Sequence, residues 1–143
     1  MTINNNISEN IVSFEIAKLL KDKKFEVHTR KVYNEHGKLL PFNHHLLMTG
    51  ERFNAPTQQI AIEWILDNFN IVINVVPNNA ISSIKSEAYI VFIWIIYTDS
   101  IDHITLMSED EDGDEDVTNF VKIEEGKTAA LIYILKNMIK TKS

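Results

Sequence analysis

The chain has 143 residues, is 45% hydrophobic and 24% charged, has no cysteine and carries a net charge of −6. These values fit one domain, residues 1–143, of ordinary globular composition, and they exclude disulfides, thiolate catalysis and Cys-ligated zinc. No segment approaches the about 20 apolar residues of a membrane helix, and the opening Met1-Thr-Ile-Asn-Asn-Asn6 lacks the basic and apolar regions of a signal peptide, so a cytoplasmic location is expected.

Residues 1–7 read as a loose tail. Ser13 is placed to cap a helix running to about Lys24, with Glu15 in the first turn, Lys21, Lys23 and Lys24 in the last, and Ile16, Ala17, Leu19 and Leu20 as its apolar stripe. From Phe25 to Tyr33 the pattern changes to period two: Phe25, Val27 and Tyr33 on one face, Glu26, His28 and Arg30 on the other. That predicts a half-exposed strand. Asn34-Glu-His-Gly37 is a turn, and Lys38-Leu-Leu40 begins a return strand that Pro41 ends or kinks. Leu46-Leu-Met48 is a candidate short strand, and Gly50 to Pro56 a loop. Thr57 caps a second helix over 57–69, whose apolar positions are Ile60, Ala61, Trp64, Ile65 and Phe69.

Ile71 to Val76 is a strand apolar on both faces except at Asn74, and Pro77-Asn-Asn79 is a turn. Ile81 to Lys85 leads into Ala88-Tyr-Ile-Val-Phe-Ile-Trp-Ile-Ile-Tyr97, a run with no charge, Gly or Pro. β-Branched and aromatic residues make it a strand of about 33 Å, the central one of its sheet. The bulk of Phe92 and Trp94 assigns its even face to the helices. The odd face, with Tyr89 and Tyr97 at its ends, is then the one to watch for exposure. A turn at Thr98–Asp102 precedes an edge strand, His103 to Met107. Phe120, Val121 and Ile123 form a short apolar segment expected to pack down. A third helix over 125–140 presents Ala130, Leu131, Ile134, Leu135, Met138 and Ile139. The elements predict an α+β fold: a mainly antiparallel sheet with three packed helices.

The charge is not evenly spread. Glu109, Asp110, Glu111, Asp112, Asp114, Glu115 and Asp116 form an acidic run, read as a solvated loop over 108–117; subtracting its −7 from the chain's −6 leaves +1 for the rest. As an EF-hand the run fails, because the twelfth position is Asn119 where a bidentate Glu is required, and the eighth is Glu115. Gly126-Lys-Thr128 has the ending of a phosphate loop, but Val121 stands where that loop needs its first Gly, so the segment reads as a helix start. The five histidines, His28, His36, His44, His45 and His103, match no metal-binding spacing. Lys18, Lys21, Lys23 and Lys24 make a helix end rather than a nucleic-acid patch. No cofactor is expected.

Three segments resemble small, uncharacterised phage and mobile-element proteins of Bacteroidota: Ser13 to Phe25, Tyr33-Asn-Glu-His-Gly-Lys38, and Ala55 to Leu66 with Phe69 to Val75 after it. Thr128 to Ile139 resembles their closing helix. The resemblance implies a phage or prophage accessory protein, with no activity to carry over. Three functions follow. The first is a non-catalytic protein that binds a protein or ribonucleoprotein complex of the host, concretely an inhibitor of a defence complex such as CRISPR. In this reading the acidic run occupies a phosphate-binding surface. The second is a self-associating structural or virion-associated protein, a homodimer through apolar surface of the central strand or third helix. The third is an enzyme assembled from dispersed residues, with His28, His103 and nearby acids as its only actors.

Overall fold

The computed structural model describes residues 10–42, 50–78, 88–109, 113 and 115–139. The loose tail, the candidate strand at 46–48 and the lead-in at 81–85 lie outside the described residues.

Helix α1 spans Phe14–Asp22. Its start is the expected one: the Ile16 amide donates to Ser13 Oγ at 3.3 Å, and Glu15 faces the positive end of the helix. Its end is a Schellman turn, in which the Phe25 amide donates to the Leu20 carbonyl and the Lys24 amide to that of Lys21. Lys24 takes the left-handed conformation, φ 70°, that this turn requires. The buried side chains Ile16, Ala17 and Leu20 recur at helical spacing.

The strand expected over 25–33 is shorter. Only Lys31–Tyr33 (β1) is paired, with Leu39–Pro41 (β2) on one side and Phe53–Asn54 (β3) on the other. Phe25 and Thr29 are buried while Val27 is exposed, so the period of two fails before β1. Thr29 holds the irregular stretch by donating its hydroxyl to the Lys31 carbonyl at 2.7 Å and accepting from the Ala55 amide at 3.3 Å. Sequence alternation cannot register that hydroxyl's backbone bonds. The β1–β2 turn forms at Asn34–Gly37, as expected. The Asn34 side-chain carbonyl accepts from the amides of His36 and Lys38, and Gly37 sits at φ 82° under the Phe14 ring.

Helix α2, Gln58–Phe69, is capped by Thr57, whose Oγ1 accepts from the Ile60 amide at 3.2 Å, and ends at Asn70 in the left-handed region. It runs directly into β4 (Ile71–Pro77), which pairs with β5 (Tyr89–Ile96), which pairs with β6 (Ile101–Thr105), all antiparallel. The central strand is therefore central, and the edge strand begins two residues before His103. Helix α3 covers Ile123–Tyr133 and continues as a π-helical turn, Ile134–Met138. It starts two residues earlier than expected and widens where Ile134 and Leu135 are buried. Val121 and Ile123 do not pack down: they are exposed, and of that segment only Phe120 packs against the core.

One cluster of buried side chains joins the layers: Ile16 and Leu20 of α1, Ala61 and Ile65 of α2, Ala130 and Leu131 of α3, and Val91 and Ile93 of β5. The fold is α+β, with all three sheets antiparallel. The helices lie on the odd face of β5, where Val91 and Ile93 have no exposure, and not on the even face. That reverses the expectation drawn from bulk. The physical reason is at Gly126 of α3. A Cβ there would meet Val91 Cγ2 at 3.1 Å and Val75 Cγ1 at 3.2 Å. The helix backbone approaches the sheet closely over small β-branched residues, an approach that Phe92 and Trp94 would prevent. Among the described residues no helix is long and apolar enough to cross a membrane.

Candidate functional site: an acidic hairpin at the sheet edge

The acidic run is not simply a loop. Met107–Glu109 (β7) and Glu115–Val117 (β8) form an antiparallel hairpin of their own, a two-stranded sheet separate from the other two. Its register pairs Met107 with Val117, Ser108 with Asp116 and Glu109 with Glu115. Of the expected loop over 108–117, residues 108, 109 and 115–117 are therefore strand. Of the proposed partner-binding residues, Glu115 and Asp116 are exposed on β8, and Glu109 is placed by its backbone on β7. Asp110, Glu111, Asp112 and Asp114 lie outside the described residues.

The hairpin is an excursion from β5's outer edge. The Leu106 amide donates to the Val91 carbonyl at 3.0 Å, the last bond of the β6 ladder. The chain then leaves as β7, and on its return the Thr118 amide donates to the Leu106 carbonyl at 3.0 Å. Phe120 takes over the vacant place on β5, exchanging both backbone bonds with Tyr89 at 2.8 and 2.9 Å. Leu106 is buried and anchors the exit. The base is tied on the other side by Asn119, whose Oδ1 accepts from Asn78 Nδ2 at 2.7 Å and whose Nδ2 donates to the Val117 carbonyl at 3.3 Å. The base of the hairpin is therefore tied to the sheet on both of its strands.

The electrostatics of the hairpin are self-opposing. Glu109 and Glu115 stand directly opposite, an arrangement that destabilises a strand pair. One compensation is local: Asp116 Oδ1 accepts its neighbour's amide, that of Val117, at 2.8 Å. Such a segment gains from any partner that brings positive charge.

Elsewhere the chemistry-bearing residues are engaged in structure. Gln58 is buried and donates from Nε2 to Thr128 Oγ1 at 2.7 Å and to the Glu124 carbonyl at 3.2 Å, locking α2 to the start of α3. With Gly126 under Val91 and Thr128 on Gln58, the Gly-Lys-Thr sequence is a packing element. His28 stands edge-on to Phe42 with ring centroids 4.3 Å apart, ahead of β1, whereas His103 lies on β6 beside Trp94 at 5.0 Å. The two histidines thus serve different sheets. Among the described residues no three His, Asp or Glu side chains are grouped to hold a metal ion, and no buried side-chain nitrogen or oxygen lacks a hydrogen-bond partner. Burial pushes the Tyr33 phenol above its ordinary value of 10.0, and its hydroxyl donates to the Val12 carbonyl at 2.6 Å.

Among the described residues, cavities open on the surface at two places. One, of about 560 Å³, lies between the end of α1 and β3 and is lined by Lys21, Lys24, Phe25, Glu26, Glu51 and Arg52. Its Lys21 is already held by Glu51 at 2.8 Å and by the Arg52 carbonyl at 2.9 Å. The other, of about 380 Å³, has an apolar floor of Ile11, Ala55, Pro56 and Ile60. His28, Thr29 and Thr57 also line it, but the Thr29 hydroxyl donates to the Lys31 carbonyl and the Thr57 hydroxyl accepts from the Ile60 amide, so both are engaged as structural groups. In comparisons with protein-family models, curated proteins and solved structures, nothing matches this chain.

Proposed function

We propose that this protein is a non-catalytic binding protein whose acidic hairpin engages a basic surface on a protein or ribonucleoprotein partner. The observation that supports the reading is that Glu109, Glu115 and Asp116 stand on a hairpin anchored at Leu106, Thr118 and Phe120, with Glu115 and Asp116 in solvent. Fixed at its base, the hairpin presents Glu115 and Asp116 at little entropic cost, as a preorganised ligand does. Surfaces that hold nucleic-acid phosphates are dense in Lys and Arg, so a run of seven carboxylates competes for the same groups. Taken with the resemblance to phage accessory proteins, the concrete form is an inhibitor of a host defence complex such as a CRISPR effector, acting in the host cytoplasm.

The test begins with affinity capture by the tagged full chain from Bacteroidota cells that carry a prophage or are under phage infection, followed by identification of the captured complex. Replacing the seven acids of 109–116 with Ser and Asn should abolish capture, and binding by the unmodified chain should weaken as salt rises, since exposed charges are screened over about 8 Å at physiological ionic strength. Undiminished capture by the neutral variant would overturn the charge-mimic reading.

A further inference from the structure

We infer that the even face of the β4–β5–β6 sheet is a face-to-face interface with a second copy of this chain. Side chains that pair across antiparallel strands share a face. Val72, Trp94 and His103 are therefore in one row, Asn74, Phe92 and Thr105 in the next, with Val76 and Ile90 beyond one end and Ile96 and Ile101 beyond the other. None of the apolar members packs against the core, whereas Ile73, Val75 and Ile104 on the opposite face do. The exposure rises toward one end, to 42% at Ile96 and 65% at Ile101. Phe92, Trp94 and His103 form a ring cluster at the middle, with centroids 5.0 to 6.3 Å apart.

Charge selects the occupant. Among the described residues no Lys, Arg, Asp or Glu projects from this face, although the chain is 24% charged and carries −6 overall. A copy of the chain repels its twin through its net charge, and least across a patch that carries none. A nucleic acid would require Lys and Arg beside the rings, and the face has neither.

The edge of the sheet points the same way. The amide of His103 faces outward from the β5 ladder, because the Tyr97–Ser100 and Val91–Leu106 bonds put the inward amides at the intervening residues. That outward amide is taken by Asp102 Oδ1 at 2.8 Å. A carboxylate on the β6 edge opposes strand addition there, which favours association through the face.

Strands spaced about 4.8 Å apart and rising about 3.3 Å per residue give the face a plan of roughly 25 by 15 Å. With side-chain relief, two such faces bury roughly 1,000 Å² together, the lower end for a specific contact. The dimer is therefore reversible, with Phe92 and Trp94 at its centre.

Sedimentation velocity of the full chain across concentrations from about 1 to about 300 µM is the test. The expected result is a mass rising from 16.5 kDa toward twice that value. Asn74 is exposed, so Asn74→Glu leaves the fold intact, checked by circular dichroism, and should raise the dissociation constant by at least about tenfold. Trp94→Glu should abolish the dimer, and Leu66→Glu, at an exposed position of α2 on the opposite side of the sheet, should not affect it. The variant lacking the seven hairpin acids should still dimerise, so this inference and the proposed function fail separately. A single 16.5 kDa species throughout, or a dimer that survives both Asn74→Glu and Trp94→Glu, would overturn it.

Discussion

Gly126 shows how one side chain's absence sets the spacing of two layers. Gly126→Ala would add helix propensity of about 0.5–1 kcal/mol. The new methyl group would meet two stiff, β-branched side chains at 3.1 and 3.2 Å. Overpacking of this kind costs about 1–3 kcal/mol, so a net destabilisation of about 1 kcal/mol is expected in urea unfolding. Tyr33 offers a second test. Its phenol, raised by burial, favours the protonated form in the folded state. The stability it contributes is therefore fully present below pH 10.0 and is lost as pH rises through the higher folded value. Tyr33→Phe should lower stability at neutral pH by about 1 kcal/mol, through loss of the bond to Val12. The variant should also be less sensitive to alkali above pH 10, as read from thermal melts across the alkaline range.

At the scale of elements, the ends of the helices were legible because capping is local chemistry. Ser13 and Thr57 cap as their positions predict, and their amide partners lie three residues on. The Schellman turn was not legible, since it places Lys24 in a conformation that glycine prefers. The left-handed conformation costs a non-glycine residue about 1–2 kcal/mol. Lys24→Gly should therefore raise the unfolding free energy, read from urea denaturation, by up to about 1 kcal/mol after glycine's own entropy is subtracted. The hairpin carries a comparable conflict at Glu109 and Glu115. Glu115→Lys turns a repelling cross-strand pair into an attracting one, worth about 0.2–1 kcal/mol. Slower amide hydrogen exchange at residues 107–109 and 115–117 should follow, while unchanged exchange would mean that the pair does not limit the hairpin. From sequence these residues look like a loop because strand propensity is poor in acids. Their pairing is imposed by the fixed exit at Leu106 and return at Thr118.

For the molecule as a whole, composition and periodicity determined the class of fold and most of its parts: three helices, the central place of residues 89–96, the flanking strands and the location of the charge. These are local properties, written into runs of apolar residues, capping side chains and turn formers. Tertiary structure alone decided which face of the central strand is covered. Both faces are apolar, so burial by type is satisfied either way. The choice falls to shape: Val91 and Ile93 admit the backbone of α3 at Gly126, and Phe92 and Trp94 would hold it away. The same choice leaves an uncharged aromatic face outward, while the return of the chain from Leu106 to Phe120 turns an acidic stretch into a hairpin. Both candidate surfaces thus depend on contacts between residues far apart in the chain, for which a single sequence has no local signal.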